Sequence, residues 1–200
     1  MNPDMTTDPT SVTKKDLRHQ LRQIIDGISS EDLHHRSLQA CNHLTATSVY
    51  SRSDVIMVFL SLPKEVDTTP LVLHAWRDGK RVLAPRVNWE QRRMLPIEIV
   101  SLTDNISEGA MGLREPAEGT PFALDQIDLV IVPGLGFDLE GNRIGRGRGF
   151  YDQFLAHEGW RGTSCGLAFE EQVVEHVPMG EHDVSVDMLV TDAAVRVFRK

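Results

Sequence analysis

The chain is poor in cysteine and in positive charge. Cys41 and Cys165 are its only cysteines and lie far apart, which argues against a disulfide framework and favours a reducing, cytoplasmic compartment. A net charge of −8 argues against general binding to nucleic acids or membrane surfaces, because such proteins usually present a positive field. No apolar run reaches the roughly 20 residues of a transmembrane helix, and no basic, apolar signal segment opens the sequence. These absences predict a cytoplasmic protein with neither a nucleic-acid nor a membrane partner.

The apolar content is nevertheless sufficient for a core. Forty per cent of the 200 residues are apolar, which is enough for one full-sized domain. Residues 1–13 are polar, contain two prolines and show no periodicity, so we expect a disordered tail there. Thr13 and Asp16 resemble the capping box that begins a helix. We therefore expect a single α/β domain over residues 14–200.

Apolar residues recur with helical spacing in the first part of this domain. The inner face of a first helix would consist of Leu17, Leu21, Ile24, Ile25 and Ile28. A second helix would follow Ser29 or Ser30, with an inner face of Leu33, Ala40, Cys41 and Leu44. Cys41 is accordingly expected in the core, where a thiol is more often packed than reactive.

Short apolar runs further along the chain predict strands. They cover residues 55–60, 81–84, 94–100, 128–132, 165–169, 186–190 and 195–198. The run with Pro96 is expected at a sheet edge, where proline is tolerated. Helices are expected at 70–76 and 150–157, and residues 101–126 are turn-rich and receive no assignment. Strands separated by helices predict a three-layer α/β fold, in which a mostly parallel, twisted sheet carries helices on both faces.

The segment Arg143–Asp152 alternates glycine with arginine between a predicted strand and a predicted helix. Glycine permits backbone conformations that let N–H groups approach a ligand, and arginine supplies charge that suits phosphate. The spacing matches neither the dinucleotide-binding fingerprint nor the phosphate loop of P-loop enzymes. Because ligands of open α/β sheets bind beyond the carboxyl ends of the strands, this segment is expected at the site, as a cradle for the phosphates of a nucleotide.

Residues 132–155, read in full, resemble the signature of the 5-formyltetrahydrofolate cyclo-ligase family, also called 5,10-methenyltetrahydrofolate synthetases. Further matching segments are Lys14–Arg18, Phe59–Ser61, Glu65–Thr68, Gly79–Pro85, Gly166–Phe169 and Val186–Asp187. The resemblance implies the ATP-dependent conversion of 5-formyltetrahydrofolate to 5,10-methenyltetrahydrofolate, with release of ADP and phosphate. ATP and 5-formyltetrahydrofolate are then the partners, and Mg²⁺ is the cofactor.

The resemblance also implies roles for individual residues. The ATP ligands would be Lys14, Lys15, Arg18, Arg143, Gly145, Arg146, Gly147, Arg148, Gly149 and Tyr151. Among them, Arg146 and Arg148 would act catalytically by neutralising charge on the transferred phosphoryl group. Leu60, Glu65 and Phe150 would bind the folate. Asp152 and Asp187 would hold the metal, with Asp183 and Asp192 as alternatives that the sequence leaves open.

Three positions depart from the pattern of many relatives. Phe150 stands where many have tyrosine, Arg148 where lysine or glycine is frequent, and Met111 where some carry tryptophan. The change at Met111 affects the expected affinity for folate more than the chemistry, Phe150 lacks a hydroxyl contact near the formyl group, and Arg148 keeps the positive charge with a different geometry. Two other functions remain open: a nucleotide- or folate-binding regulatory protein without turnover, and an ATP-dependent kinase or ligase for another small anion.

Overall fold

A mostly parallel sheet of seven strands forms the centre of the computed structural model, which describes residues 13–109 and 112–198. The helices are α1 (Lys14–Asp26), α2 (Ser30–Thr45), α3 (Ser48–Arg52), α4 (Thr69–Arg77) and α5 (Phe150–Leu155). The strands of the sheet are β1 (Val55–Met57), β2 (Arg81–Asn88), β3 (Arg93–Glu98), β6 (Leu129–Val132), β9 (Thr163–Ala168), β10 (Met188–Thr191) and β11 (Val195–Val197). Two small hairpins add β4 (Ile106–Glu108) with β5 (Arg114–Pro116), and β7 (Gly136–Phe137) with β8 (Arg143–Ile144).

The order of strands in the sheet is β11-β10-β9-β6-β1-β2-β3. The five inner strands pair in parallel, and only the two edge strands, β3 and β11, run antiparallel to their neighbours. Pro96 lies in β3, at the edge where it was expected. The predicted α/β class with a mostly parallel sheet is confirmed.

Helices cover both faces of the sheet. Alternate residues of the inner strands point to opposite sides, so Ile56 and Met57 belong to different core clusters. The cluster with Ile56 also contains the buried residues of α2 and α4, and the cluster with Met57 contains Phe154 of α5. The three predicted layers are therefore present. None of the helices in the described part of the chain is long and apolar enough to cross a membrane.

The first helix begins as expected but packs through a narrower face. Thr13 caps α1, because its side chain accepts a hydrogen bond from the N–H of Asp16. Leu17, Leu21 and Ile25 are buried, whereas Ile24 is 44% exposed, contrary to the prediction. The residues that pack on α1 come from the flank shared by Leu21 and Ile25, so Ile24 lies at the solvent edge of the apolar face. The tail predicted for residues 1–13 lies, apart from Thr13, outside the described residues.

Several element boundaries differ from the predictions. The run 55–60 is buried throughout, but β1 ends at Met57, and the N–H of Val58 makes one further bond to the carbonyl of Leu83 of β2 at 2.8 Å. The segment that follows is held to the start of α4 by Thr68, whose hydroxyl donates to the carbonyl of Phe59 at 2.7 Å. The helix α3 and the hairpin of β4 and β5 were not predicted, since both consist of short and largely exposed segments without clear periodicity.

Candidate active site

A cavity of about 330 Å³ opens at the carboxyl ends of the parallel strands. Leu60 follows β1, Val87 lies near the end of β2, and Gly134 follows β6, and all three line it. The remaining wall comes from α1, from the loop with Glu65, from residues 143–149, from the start of α5, from Asp183 and from the two hairpins β2–β3 and β4–β5. The cavity thus lies where an open α/β sheet is expected to bind its ligand, and its volume suits a small molecule.

The arginine and glycine segment folds into the cavity wall through residues that require glycine. Gly147 and Gly149 have φ angles of +97° and +72°, in the left-handed region that L side chains rarely adopt. A Cβ atom at Gly145 would lie 2.6 Å from the guanidinium of Arg143. Arg18 fixes this segment from α1, because its Nε donates to the carbonyl of Gly145 at 2.9 Å.

Arg143 lies inside the wall rather than at its surface. Its side chain is 4% exposed, and its Nη2 donates to Oδ1 of Asp152 at 2.8 Å. The Nε atom is buried and has no hydrogen-bond partner among the described residues. Arg143 therefore orients Asp152, while its positive charge remains next to the cavity.

Arg146 and Glu65 form an ion pair across the cavity. Nε and Nη2 of Arg146 donate to Oε1 of Glu65 at 3.1 and 3.0 Å. The other carboxylate oxygen, Oε2, accepts from the N–H of Leu62 at 3.0 Å. The side chain of Glu65 is 15% exposed and that of Arg146 is 42% exposed. A predicted ligand of folate and a predicted ligand of phosphate are therefore in direct contact.

Tyr151 places a buried hydroxyl beside this pair. The hydroxyl oxygen has no hydrogen-bond partner in the described part of the chain. Burial raises the pKa of Tyr151 far above its usual value, and the nearby negative charge of Glu65 raises it further. The phenol is therefore neutral at physiological pH and able to donate a hydrogen bond to a ligand or a bridging water.

Lys14 also reaches the cavity, where it forms an ion pair with Asp183. Burial opposes ionisation of Asp183, but the hydrogen bonds from Lys14 and from the N–H of Gly180 outweigh it and lower its pKa. Lys15 is exposed on α1 and does not line the cavity. Lys14 and Arg18, both expected as ATP ligands, lie four residues apart on α1, and both line the cavity.

Only some of the predicted metal ligands line the cavity. Asp152 lines the cavity, as does the alternative Asp183. Asp187 lies at the amino end of β10, where its carboxylate accepts hydrogen bonds from the N–H and hydroxyl of Ser164 at 2.8 and 2.7 Å. Asp192 pairs with Arg36 away from the cavity. Within residues 13–109 and 112–198, no three or more His, Cys, Asp or Glu side chains form a group that could hold a metal ion alone.

The part of the cavity wall that contains the expected folate ligands was only partly predicted from the sequence. Leu60, Glu65 and Phe150 all line the cavity, together with Val87, Trp89 and Met94 of the β2–β3 hairpin. Nothing in the periodicity of the hairpin marked these three residues; the one available signal was a tryptophan within a polar turn. Met111, expected to affect folate affinity, lies outside the described residues.

Comparison with known proteins identifies the family of the chain. The sequence model of the 5-formyltetrahydrofolate cyclo-ligase family matches residues 10–192. The chain belongs to this family. The mouse 5-formyltetrahydrofolate cyclo-ligase is 32% identical over 184 residues, which cover 87% of this chain and 91% of the mouse protein. The enzyme of Escherichia coli K12 is 29% identical over 183 residues, covering 88% of this chain and 98% of that protein.

Solved structures of family members have the same fold. The NMR structure of Aquifex aeolicus 5,10-methenyltetrahydrofolate synthetase superposes with a TM-score of 0.82 at 30% identity, covering 94% of each chain. The Mycoplasma pneumoniae 5,10-methenyltetrahydrofolate synthetase superposes with a TM-score of 0.74 at 21% identity, covering 90% of this chain and 99% of that one. The second likeness supports the fold alone.

Proposed function

We propose that the protein catalyses the ATP-dependent cyclisation of 5-formyltetrahydrofolate to 5,10-methenyltetrahydrofolate, with release of ADP and phosphate. The chain belongs to the 5-formyltetrahydrofolate cyclo-ligase family, and the observation that carries the proposal is a single cavity whose two sides differ in chemistry. Cationic residues of α1 and of residues 143–148 form one side, and Glu65 with apolar residues forms the other. A nucleotide and a folate can therefore meet in a single site.

The cationic side suits the phosphates of ATP. Arg146 and Arg148 are exposed at the cavity, and Lys14 and Arg18 approach it from α1. Arginine binds phosphate with paired N–H donors, which gives both charge and orientation. The glycines between the arginines allow main-chain N–H groups to come close to the same phosphates. We assign Lys14, Arg18, Gly145, Arg146, Gly147, Arg148 and Gly149 to direct contact with ATP. Arg143 and Tyr151 are assigned to the same ATP site from more buried positions in its wall. Lys15 is kept as a peripheral ATP contact because it is exposed beside Lys14.

The opposite side suits a reduced pterin. Leu60 is 5% exposed and offers an apolar surface to the ring system. The carboxylate of Glu65 can accept hydrogen bonds from the N–H groups of the pterin once Arg146 leaves it. Phe150 extends the apolar wall, so its ring replaces the hydroxyl contact that a tyrosine would offer. A largely apolar pocket with one well-placed polar group is typical of small-molecule recognition.

The chemistry begins at the formyl group. The formyl oxygen attacks the γ-phosphorus of ATP, the bond to ADP breaks, and an imidate-like phosphate forms. N10 of the folate then attacks the formyl carbon and loses its proton, and phosphate departs with the former formyl oxygen. Phosphorylation is needed because an amide oxygen is a poor leaving group. Catalysis is therefore mainly positioning and charge neutralisation.

The residues of the chain contribute to these steps without forming a covalent intermediate. Arg146 and Arg148 neutralise negative charge on the transferred phosphoryl group. Arg143 keeps Asp152 in a fixed orientation through their 2.8 Å hydrogen bond. The apolar wall with Leu60 and Phe150 excludes water, which would otherwise hydrolyse the phosphorylated intermediate.

The residues at the cavity fit a magnesium ion that is held jointly with phosphate. Oδ2 of Asp152 accepts no hydrogen bond from any described residue, and Asp183 is a second carboxylate in the same wall. Mg²⁺ commonly uses one or two carboxylates, several waters and substrate phosphates as ligands. Bound there, it would neutralise negative charge on the phosphates of ATP. We assign Asp152 to this role, with Asp183 as the nearer second carboxylate, and keep Asp187 as the more distant prediction.

The direct test mixes the purified protein with ATP, MgCl₂ and 5-formyltetrahydrofolate and follows the absorbance of methenyltetrahydrofolate. We expect turnover that requires ATP, and a loss of at least 100-fold in kcat/KM for Arg146→Ala, because a charge-neutralising donor is removed. Arg22→Ala is the matched control, since Arg22 is exposed on α1 and does not line the cavity. Binding of both ligands without product would indicate a regulatory protein, and ATP hydrolysis that depends on a different anion would indicate another kinase or ligase.

A further inference from the structure

Trp89 is a cavity residue to which neither the family resemblance nor the expected chemistry gave a role. It opens the turn of residues 89–92 between β2 and β3 and lines the cavity. It is 37% exposed, although a tryptophan side chain has about 150–250 Å² of surface that is normally buried. An aromatic ring that remains partly exposed at the rim of a ligand cavity provides a surface for an aromatic ligand.

The ring of Trp89 is held in a fixed orientation. It packs edge-to-face on Phe150, with ring centroids 5.2 Å apart and an interplanar angle of 88°. The guanidinium carbon of Arg148 lies 5.9 Å from its centroid. The turn itself is closed by the side chain of Asn88, which accepts a hydrogen bond from the N–H of Gln91 at 2.9 Å. A pre-oriented ring loses little conformational entropy when a ligand stacks on it.

The two other tryptophans of the chain have structural environments instead. The indole N–H of Trp76 donates to the carbonyl of Ile99, and that of Trp160 donates to the carbonyl of Ile127, both at 3.2 Å. Neither lines the cavity. Among the described residues, the indole N–H of Trp89 has no acceptor. Of the three, Trp89 alone is placed to contact a ligand.

We propose that Trp89 binds the p-aminobenzoyl ring of the folate. This inference rests on the proposed function and extends it to a second part of the substrate. Leu60, the apolar residue assigned to the pterin, is 5% exposed, so the pterin is the deeper group. Trp89 is more exposed and adjoins Phe150, which the proposed function assigns to the apolar wall around the folate. In a folate the p-aminobenzoyl ring follows the pterin towards the glutamate, and this order matches the order of Leu60, Phe150 and Trp89 from the interior to the rim.

Tryptophan fluorescence tests the contact without turnover. Titration with 5-formyltetrahydrofolate in the absence of ATP is expected to change the emission of the wild-type protein, of Trp76→Phe and of Trp160→Phe by similar fractions. Trp89→Phe is expected to lose most of this change while still binding the folate by calorimetry. If Trp89→Phe retains the full change, the proposed contact is wrong.

Binding of a substrate fragment tests which ring is contacted. Trp89→Ala should weaken binding of 5-formyltetrahydrofolate about tenfold, and Trp89→Phe less than threefold. Binding of 5-formyl-6-methyltetrahydropterin, which lacks the p-aminobenzoyl group, should change less than twofold in both variants. Equal weakening of folate and fragment, or no weakening of either, would refute the assignment. A wild-type protein that binds the folate without converting it would refute the proposed activity alone.

Discussion

Arg143 and Asp152 bring opposite charges into the wall of the cavity. The side chain of Arg143 is 4% exposed and that of Asp152 is 18% exposed, so each charge depends on the other for compensation. Removing one member of such a pair leaves a charge without a partner in a region of low polarity, which costs more than the pair itself contributes. The interaction is therefore expected to affect stability directly and activity through the proposed metal ligand Asp152.

The structural effect can be measured with Arg143→Met, which keeps an unbranched apolar stem. We expect this variant to lose about 3 kcal/mol of unfolding free energy, because the carboxylate of Asp152 would be left partly buried and unpaired. Urea denaturation measures the change. The double variant Arg143→Met with Asp152→Asn should recover part of the loss, since no uncompensated charge remains. A loss below about 0.5 kcal/mol for the single variant would contradict a buried, compensated pair.

At the scale of single residues, the sequence indicated which residues line the cavity, but it did not indicate which way their side chains point. The spacing of glycine and arginine in residues 143–149 predicted a phosphate cradle, and most of these residues line one cavity. It could not distinguish Arg143, which points into the wall, from Arg146, which points across the cavity. Arg143 lies in the paired strand β8, whereas Arg146 lies after that strand in the loop before α5, and residue type alone does not determine where the strand ends.

Two loops meet through the ion pair of Glu65 and Arg146. The first loop connects β1 to α4, and the second connects β8 to α5. Without ligands, Oε1 of Glu65 is occupied by Arg146 and Oε2 by the N–H of Leu62. A pterin that uses Oε1 must displace Arg146, whereas a nucleotide phosphate would attract Arg146 and release the carboxylate. If Glu65 binds the pterin and Arg146 binds the nucleotide, as proposed, the two loops couple the two substrates.

This coupling predicts that a non-hydrolysable ATP analogue tightens the binding of 5-formyltetrahydrofolate. Breaking a partly exposed ion pair costs about 1 kcal/mol, which corresponds to about fivefold in the dissociation constant. By reciprocity, the folate should tighten binding of the analogue by the same factor. Calorimetric titration of each ligand, alone and with the other present, measures both factors.

The variant Arg146→Ala provides the diagnostic result for this coupling. It should bind the analogue more weakly, but it should bind the folate alone more tightly than the wild-type protein, because Glu65 is already released. Arg22→Ala, on the exposed face of α1, should retain the wild-type coupling. If the folate binds Arg146→Ala with wild-type or lower affinity, the ion pair does not compete with the pterin.

Helices and strands with clear apolar periodicity or long apolar runs were predicted well. Elements whose length depends on tertiary contacts were predicted poorly. The periodicity of α1 and α2 and the buried runs of β6 and β9 are local signals of helix and parallel strand. The strand β2 extends four residues beyond the predicted end at 84 because it pairs with β3 as far as Asn88 and Arg93. That extension carries Val87 and Trp89 to the cavity, which explains why the sequence missed this part of the site.

At the scale of the whole molecule, the site is formed by segments that are distant in sequence. Lys14 meets Asp183, Glu65 meets Arg146, and Trp89 meets Phe150. The fold class was predictable because buried strands alternate with helices along the chain. The second and third pairings follow from the adjacent, parallel placement of β6, β1 and β2, which brings the carboxyl ends of these strands side by side.

The reactivity of the two cysteines can be used to measure how ligands stabilise the folded domain. Cys41 of α2 and Cys165 of β9 are 2% and 0% exposed and lie in the same core cluster between the sheet and its helices. Burial raises the pKa of the Cys41 thiol to about 12 and raises that of Cys165 as well. An unfolded thiol ionises near pH 8.5, and only the thiolate reacts with disulfide reagents. Both thiols are therefore expected to react only after the core opens.

We expect labelling of the folded protein at pH 8 by an aromatic disulfide reagent to be at least 1,000-fold slower than labelling in guanidinium, because a stable core is rarely open. Ligands that bind only the folded protein should slow it further. At a free concentration of about 100 times its dissociation constant, the ATP analogue should reduce the rate about 100-fold if labelling requires global unfolding. The variants Cys41→Ser and Cys165→Ser separate the two sites. Rapid labelling of Cys41 that ATP does not slow would show that α2 opens independently of the site, and the stability of the cavity would then not depend on that helix.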